Sequence, residues 1–308
     1  MQGAFYFMAK NFLSYKDQIE LLKNKGLTIS NEQAAVYYLK QFSYYSLISG
    51  YKDIFKQEPK GKYRSDATFE HIVNLYLLDD YMRSLFLQNI IQIEKNIKSL
   101  YSYVFCELYG DSQSDYLNVT NYQYDKFQGK VNELVSIINK NIQHNEKYPY
   151  VKHYVAKYGE VPLWVIIHTM TFGNISKMFS YSKQELQSRV ARNFEYVYGE
   201  QLSSMLNVIS KFRNVCAHGE RLYNFKTKSS IKELPIHDKI KGYYNISKND
   251  LFSVCISFKY LLSENDFIRL LKALNDILSV CFNAIGDYYK SKILKSMGFP
   301  ENWYELLQ

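Results

Sequence analysis

The sequence predicts an all-α fold: one helical domain over residues 66–308, preceded by a helical extension over residues 1–65. Three observations predict it. The run from Asp66 to about Tyr109 contains neither proline nor glycine, so nothing in it interrupts a helix. Elsewhere apolar residues recur at spacings of three and four, as at Met205, Ile209, Phe212 and Cys216, which is one stripe of a helix facing a core. No strand-like alternation of useful length and no internal repeat occurs.

The elements follow in order. Lys16 to Lys25 reads as a short helix stopped by Gly26, and Ser30-Asn-Glu-Gln33 reads as a capping box opening a second helix through about Gln41. Phe42 to Tyr51 is an aromatic run ended by Gly50, read as part of a packed N-terminal hairpin. Gln57 to Ser65 is a basic loop with Pro59 and Gly61. Asp66 and Thr68 are expected to cap the long helix, whose buried side runs through Leu75, Leu78, Met82, Leu85, Asn89, Ile93 and Ile97.

Asp111 to Asn121 reads as loop and Tyr122 to Asn145 as helix. Pro149 opens a short basic aromatic segment, and Pro162 suits the first turn of a helix from Leu163 to Ser180 that holds His168 as a core histidine. Ser182-Lys-Gln-Glu185 looks like a second capping box, starting a helix with Arg189 and Arg192. A helix from about Glu200 to His218 comes next, then a basic aperiodic stretch, Tyr223 to Asn245, with Pro235 and Gly242. Two helices follow, Leu251 to Leu262 and, capped by Ser263, Asp266 to about Ser291. Met297 to Trp303 reads as a turn with a docking aromatic.

Composition narrows the function classes. Across 308 residues the net charge is +8, carried by 31 Lys and 7 Arg, with 30 Tyr and 19 Phe. A basic, ring-rich chain suits a polyanion with unpaired bases, although a lysine surface and tyrosines packed in the core would look the same. Cys106, Cys216, Cys255 and Cys281 are scattered through apolar helical runs, so neither a zinc site nor a disulfide framework is expected. No cofactor motif is present. The Phe5-Tyr6-Phe7 start is too short for a signal-peptide core, and the longest apolar run, near Val161 to Ile167, is too short to span a bilayer, so a cytoplasmic protein is expected.

The stretch that carries chemistry is Lys211-Phe-Arg-Asn-Val-Cys-Ala-His-Gly-Glu-Arg221. Arg213, Asn214, His218 and Arg221 gather a guanidinium, an amide and an imidazole at one helix end. The arginine can neutralise phosphate charge and the imidazole can move a 2′-hydroxyl proton, which is what RNA cleavage without a metal requires. Asn214, His218 and Arg221 share a helix face, whereas Arg213 is turned roughly 140° from His218 on a straight helix. A working site therefore needs a distorted helix end or a neighbouring chain. The alternative is that His218 only meets the helix C-terminus and the arginines are solvated. Glu94 and Lys98, four apart on the long helix, are either an ordinary ion pair or a support for this site.

Further motifs accompany these in order: Gly26-Leu-Thr-Ile-Ser, Tyr44-Tyr-Ser-Leu-Ile-Ser-Gly-Tyr51, Thr68-Phe69 with Tyr76 and Arg83, Pro162-Leu-Trp-Val, Phe172-Gly-Asn-Ile-Ser and Gly298-Phe-Pro-x-x-Trp303. With Glu94, Lys98 and Arg213-Asn-x-x-x-His218 they resemble, over nearly the whole chain, the Abi-like family of AbiD/AbiF abortive-infection proteins in the HEPN superfamily. The resemblance implies an HEPN-like helical bundle and anti-phage RNA cleavage at a composite, metal-independent R-x4-6-H site. It assigns catalysis to Arg213, Asn214 and His218 and support to Glu94, Lys98 and Arg221. Arg221, Lys226 and Lys228 are the expected RNA contacts. Lys98 and Ser46 stand where arginine is common in that family, and His168 where glutamate is.

The expected reading is thus an endoribonuclease, with RNA as substrate or regulator, two copies meeting at the site, and neither membrane nor DNA as partner. The alternative is a non-catalytic scaffold holding a structured small RNA. A third reading has the site vestigial and the protein acting through a protein partner.

Overall fold

The computed structural model describes residues 12–57, 61–241 and 247–308. Pro59, Gly242 and the Phe5-Tyr6-Phe7 start lie outside them. The described residues are helical and contain no strand, only the isolated bridges Thr28 to Thr68, Lys56 to Tyr63 and Tyr122 to Ser182, so the all-α expectation holds.

The α-helices are α1 (Tyr15–Asn24), α2 (Glu32–Phe42), α3 (Phe69–Tyr109), α4 (Gln113–Leu117), α5 (Tyr124–Gln143), α6 (Pro149–Tyr158), α7 (Leu163–Ile166), α8 (Phe172–Tyr181), α9 (Gln184–Ala191), α10 (Gly199–Ala217), α11 (Pro235–Ile240), α12 (Leu251–Leu261), α13 (Glu264–Ile285), α14 (Asp287–Met297) and α15 (Trp303–Leu307). The chain divides into two units, Met1–Asp80 with Leu278–Ile293, and Tyr81–Ile277 with Leu294–Gln308.

In the first unit α1 packs on α2. Gly26, at φ +86°, turns the chain after α1, and the Thr28 N–H then reaches the Ala67 carbonyl at 3.1 Å. The cap of α2 is Asn31, whose side chain accepts the Ala34 N–H at 2.9 Å. The expected Ser30 capping box gives way because Asn31 sits one residue nearer the first helical turn. Tyr45–Ser49 form a π-helix, and Gly50 continues in right-handed backbone at φ −75° instead of ending the segment. Thr68 caps α3 through the His71 N–H at 3.2 Å. Asp66, also expected there, instead accepts from Arg64 and the Tyr289 hydroxyl at 3.0 and 2.9 Å.

In the second unit α10 packs on α8, α9 and α12, and α5 packs on α6, α7 and α8. The stripe Met205, Ile209, Phe212 and Cys216 is buried. Several expected boundaries move. The stretch read as loop after Asp111 contains α4, opened by a capping box between Ser112 and Asp115.

The expected helix from Leu163 to Ser180 is broken. Pro162 precedes α7, a 3-10 turn covers Ile167–Thr169, Met170 is extended, and Thr171 caps α8. His168 on that turn is exposed, not a core residue. Ser182 does not cap α9, because it is fully buried and its hydroxyl pairs with Tyr101 Oη at 2.8 Å. The last long helix is likewise split at Gly286, φ +90°, into α13 and α14. None of the four cysteines is disulfide-bonded. No helix among the described residues is long and apolar enough to cross a membrane.

Candidate functional site

The site begins with α10. Its apolar stripe fixes the helix against the core, and Phe212 on that stripe meets Phe225 edge-on at 5.0 Å. With Leu222 and Tyr223 buried, this contact pins the chain that follows the helix. The helix ends at Ala217 with His218 as its cap residue. Gly219, at φ +66°, makes the turn. Its N–H reaches the Cys216 carbonyl at 3.4 Å and the Glu220 N–H reaches Val215 at 3.0 Å, the paired bonds of a Schellman termination. His218 is exposed at the mouth of that turn, and its backbone N–H bonds the Asn214 carbonyl at 2.9 Å.

Below this end α3 contributes a charged network. Glu94 Oε1 accepts Lys98 Nζ at 2.8 Å, and its other oxygen stands 3.8 Å from Arg213 Nε. Glu94 and Lys98 are buried, so one carboxylate balances two cations where water screens little. Lys98 also donates to the Met170 carbonyl at 2.9 Å, which holds the break between α7 and α8 against α3. Arg213 Nε is buried without a hydrogen bond, because 3.8 Å is an ion-pair distance and too long for one. The rest of the guanidinium is partly exposed, and can take a phosphate oxygen.

The structure therefore joins Glu94, Lys98 and Arg213 directly, and places Asn214 and His218 exposed on the same helix end. It does not place Arg221 on their helix face, because the chain leaves α10 at Gly219, and Arg221 is exposed beyond that turn. Lys226 and Lys228 are exposed on either side of buried Thr227. Thr227 holds this alternation by bonding its N–H to the Asn249 carbonyl at 2.9 Å.

Two neighbours carried no assigned role in the sequence reading. Arg83, buried on α3, donates to the Glu220 carbonyl at 3.4 Å, next to Arg221. Its appearance beside Tyr76 in an ordered motif series was the available signal. His168 is held below the ordinary imidazole range, first by the desolvation its neighbours impose on the ring, exposed as the residue is, and then by the Lys98 charge. Its exposed turn is tied on one side by Lys98 and on the other by Asn141, which donates to Thr169 Oγ1 at 2.9 Å.

Residues 37–224 match the family model described as Abi-like protein. That segment contains Glu94, Lys98, Arg213, Asn214, His218 and Arg221, and ends before Lys226 and Lys228. No curated protein and no solved structure matches the chain.

Proposed function

We propose that this chain, which belongs to the Abi-like family of bacterial abortive-infection proteins, is an endoribonuclease of the HEPN type. The observation that carries the reading is the Glu94 to Arg213 pairing beneath a helix end capped by His218. A guanidinium positioned by a buried acid supplies phosphate charge neutralisation and the exposed imidazole supplies proton transfer, once the two are brought to one phosphate.

In the proposed reaction His218 takes the proton of a ribose 2′-hydroxyl, or delivers one to the leaving oxygen. O2′ attacks phosphorus and the bond from phosphorus to O5′ breaks, leaving a 2′,3′-cyclic phosphate and a 5′-hydroxyl. Arg213 stabilises the charge on the phosphorane, Asn214 holds a phosphate oxygen, and Arg221, Lys226 and Lys228 attract the strand. Because α10 keeps its helical bonding up to His218, Arg213 and His218 remain on different sides of it, roughly 140° apart. One complete site is then assembled from two copies of the chain.

The test compares the natural chain with His218→Ala on total RNA in the presence of EDTA. The natural chain is expected to leave cyclic-phosphate ends, and the variant to be slower by about a hundredfold or more. Equal cleavage by both removes the mechanism. If neither cleaves and both carry one defined small RNA, the scaffold reading replaces it.

A further inference from the structure

The short helix α6 is unusual for what it leaves uncovered. Of its ten residues only Val151 is buried. Its sequence, Pro-Tyr-Val-Lys-His-Tyr-Val-Ala-Lys-Tyr, contains no acid and three cationic or imidazole side chains, Lys152, His153 and Lys157, among rings and small apolar residues. At helical spacing Tyr150, His153, Tyr154, Lys157 and Tyr158 fall on one flank.

The rings there form a connected series. Tyr154 and Tyr158 lie 5.3 Å apart, His153 and Tyr158 6.4 Å apart, and Lys157 Nζ sits 5.0 Å from the Tyr158 ring centre. Tyr150 is 42% and Tyr158 57% exposed, and Trp164, on the α7 helix that packs against α6, is 45% exposed. Three large rings are therefore open to solvent on two adjoining helices.

We infer that this flank of α6 is a stacking platform for an unpaired RNA strand. The chemistry selects that occupant. Protein interfaces are depleted in lysine at their centres, whereas this flank interleaves cations with ring faces and offers no aliphatic anchor. Single-stranded nucleic acid uses both features, bases lying on rings and phosphates meeting ammonium groups. A duplex hides its base faces and cannot use the rings. The platform connects to the site through α7 and the turn whose Met170 carbonyl is bonded by Lys98. The inference rests on RNA being the ligand, as proposed above, and adds where the strand is held.

The test uses the His218→Ala chain, which leaves RNA uncut, and a fluorescein-labelled oligouridine of about twelve nucleotides. Tyr150→Ala with Tyr158→Ala is expected to weaken binding about tenfold or more, while Tyr150→Phe with Tyr158→Phe, keeping both rings, retains it. Lys157→Gln should flatten the salt dependence, and a 4-thiouridine probe should crosslink to the peptide carrying α6. A duplex of the same length should compete poorly. Unchanged binding by the double alanine variant, or a crosslink only elsewhere, overturns the platform and leaves the nuclease reading standing. If the parent binds no RNA, both fall. Circular dichroism of each variant separates lost rings from a lost fold.

Discussion

Glu94 is the residue on which the charged network depends, since Lys98 and Arg213 have it in common. Removing one partner of a buried ion pair leaves a charge without its counterion. Glu94→Ala strands Lys98, and is expected to cost about 3 kcal/mol and lower the melting temperature by about 6 °C in a chain of this size. Lys98→Met leaves Glu94 still facing Arg213, and should cost clearly less. Thermal melts of the two variants decide it, since equal losses would mean that Glu94 does not organise the network. The sequence made the Glu94 to Lys98 spacing legible because both residues lie on one helix. It could not place Arg213 on the same carboxylate, since the 118 intervening residues say nothing about which helices meet. The expectation for His168 failed for a related reason: its apolar neighbours suggested burial, but Lys98 draws the chain out of helix at Met170.

The glycine-marked ends separate two kinds of constraint at the level of the elements. Gly219 after α10 and Gly298 after α14 both have left-handed backbone, at φ +66° and +80°. A Cβ at Gly219 meets nothing within 4 Å, whereas at Gly298 it would collide with the Asp250 carboxylate. Asp250 is buried and caps α12 through the Ser253 N–H at 3.2 Å, so it cannot step aside without uncapping that helix. Gly219→Ala should therefore cost only the backbone strain, about 1 kcal/mol, while Gly298→Ala should cost about 2 kcal/mol or more. Denaturant unfolding of both variants measures the difference, and equal losses would remove the Asp250 contact as its cause. Both turns were legible, because a glycine following a helical run is a local signal. Two of the failed boundaries were those where a distant group won: Tyr101 takes the Ser182 hydroxyl away from capping α9, and a carbonyl bonded by Lys98 interrupts the helix begun at Leu163.

The scale of the whole molecule decides whether one chain is enough. A net charge of +8 favours any polyanion from any direction, so it does not discriminate between one chain and two. Geometry does. With α10 regular to its cap, a guanidinium and an imidazole on opposite flanks of one helix can meet at one phosphate if a second copy presents the missing group. Arg213→Ala and His218→Ala should each be inactive alone. Mixed and allowed to exchange subunits, they would form about half mixed dimers, each with one intact pair out of two, recovering about a quarter of the natural activity. If each chain carried a complete site of its own, the mixture would remain as inactive as its components, because every site would lack one of the two groups. Cleavage assayed before and after subunit exchange, alongside the mass in solution by light scattering, separates these cases. A dimer whose mixture stays inactive would keep the association but place Arg213 and His218 of a single chain at the same phosphate, which requires the Gly219 turn to swing His218 around the end of α10.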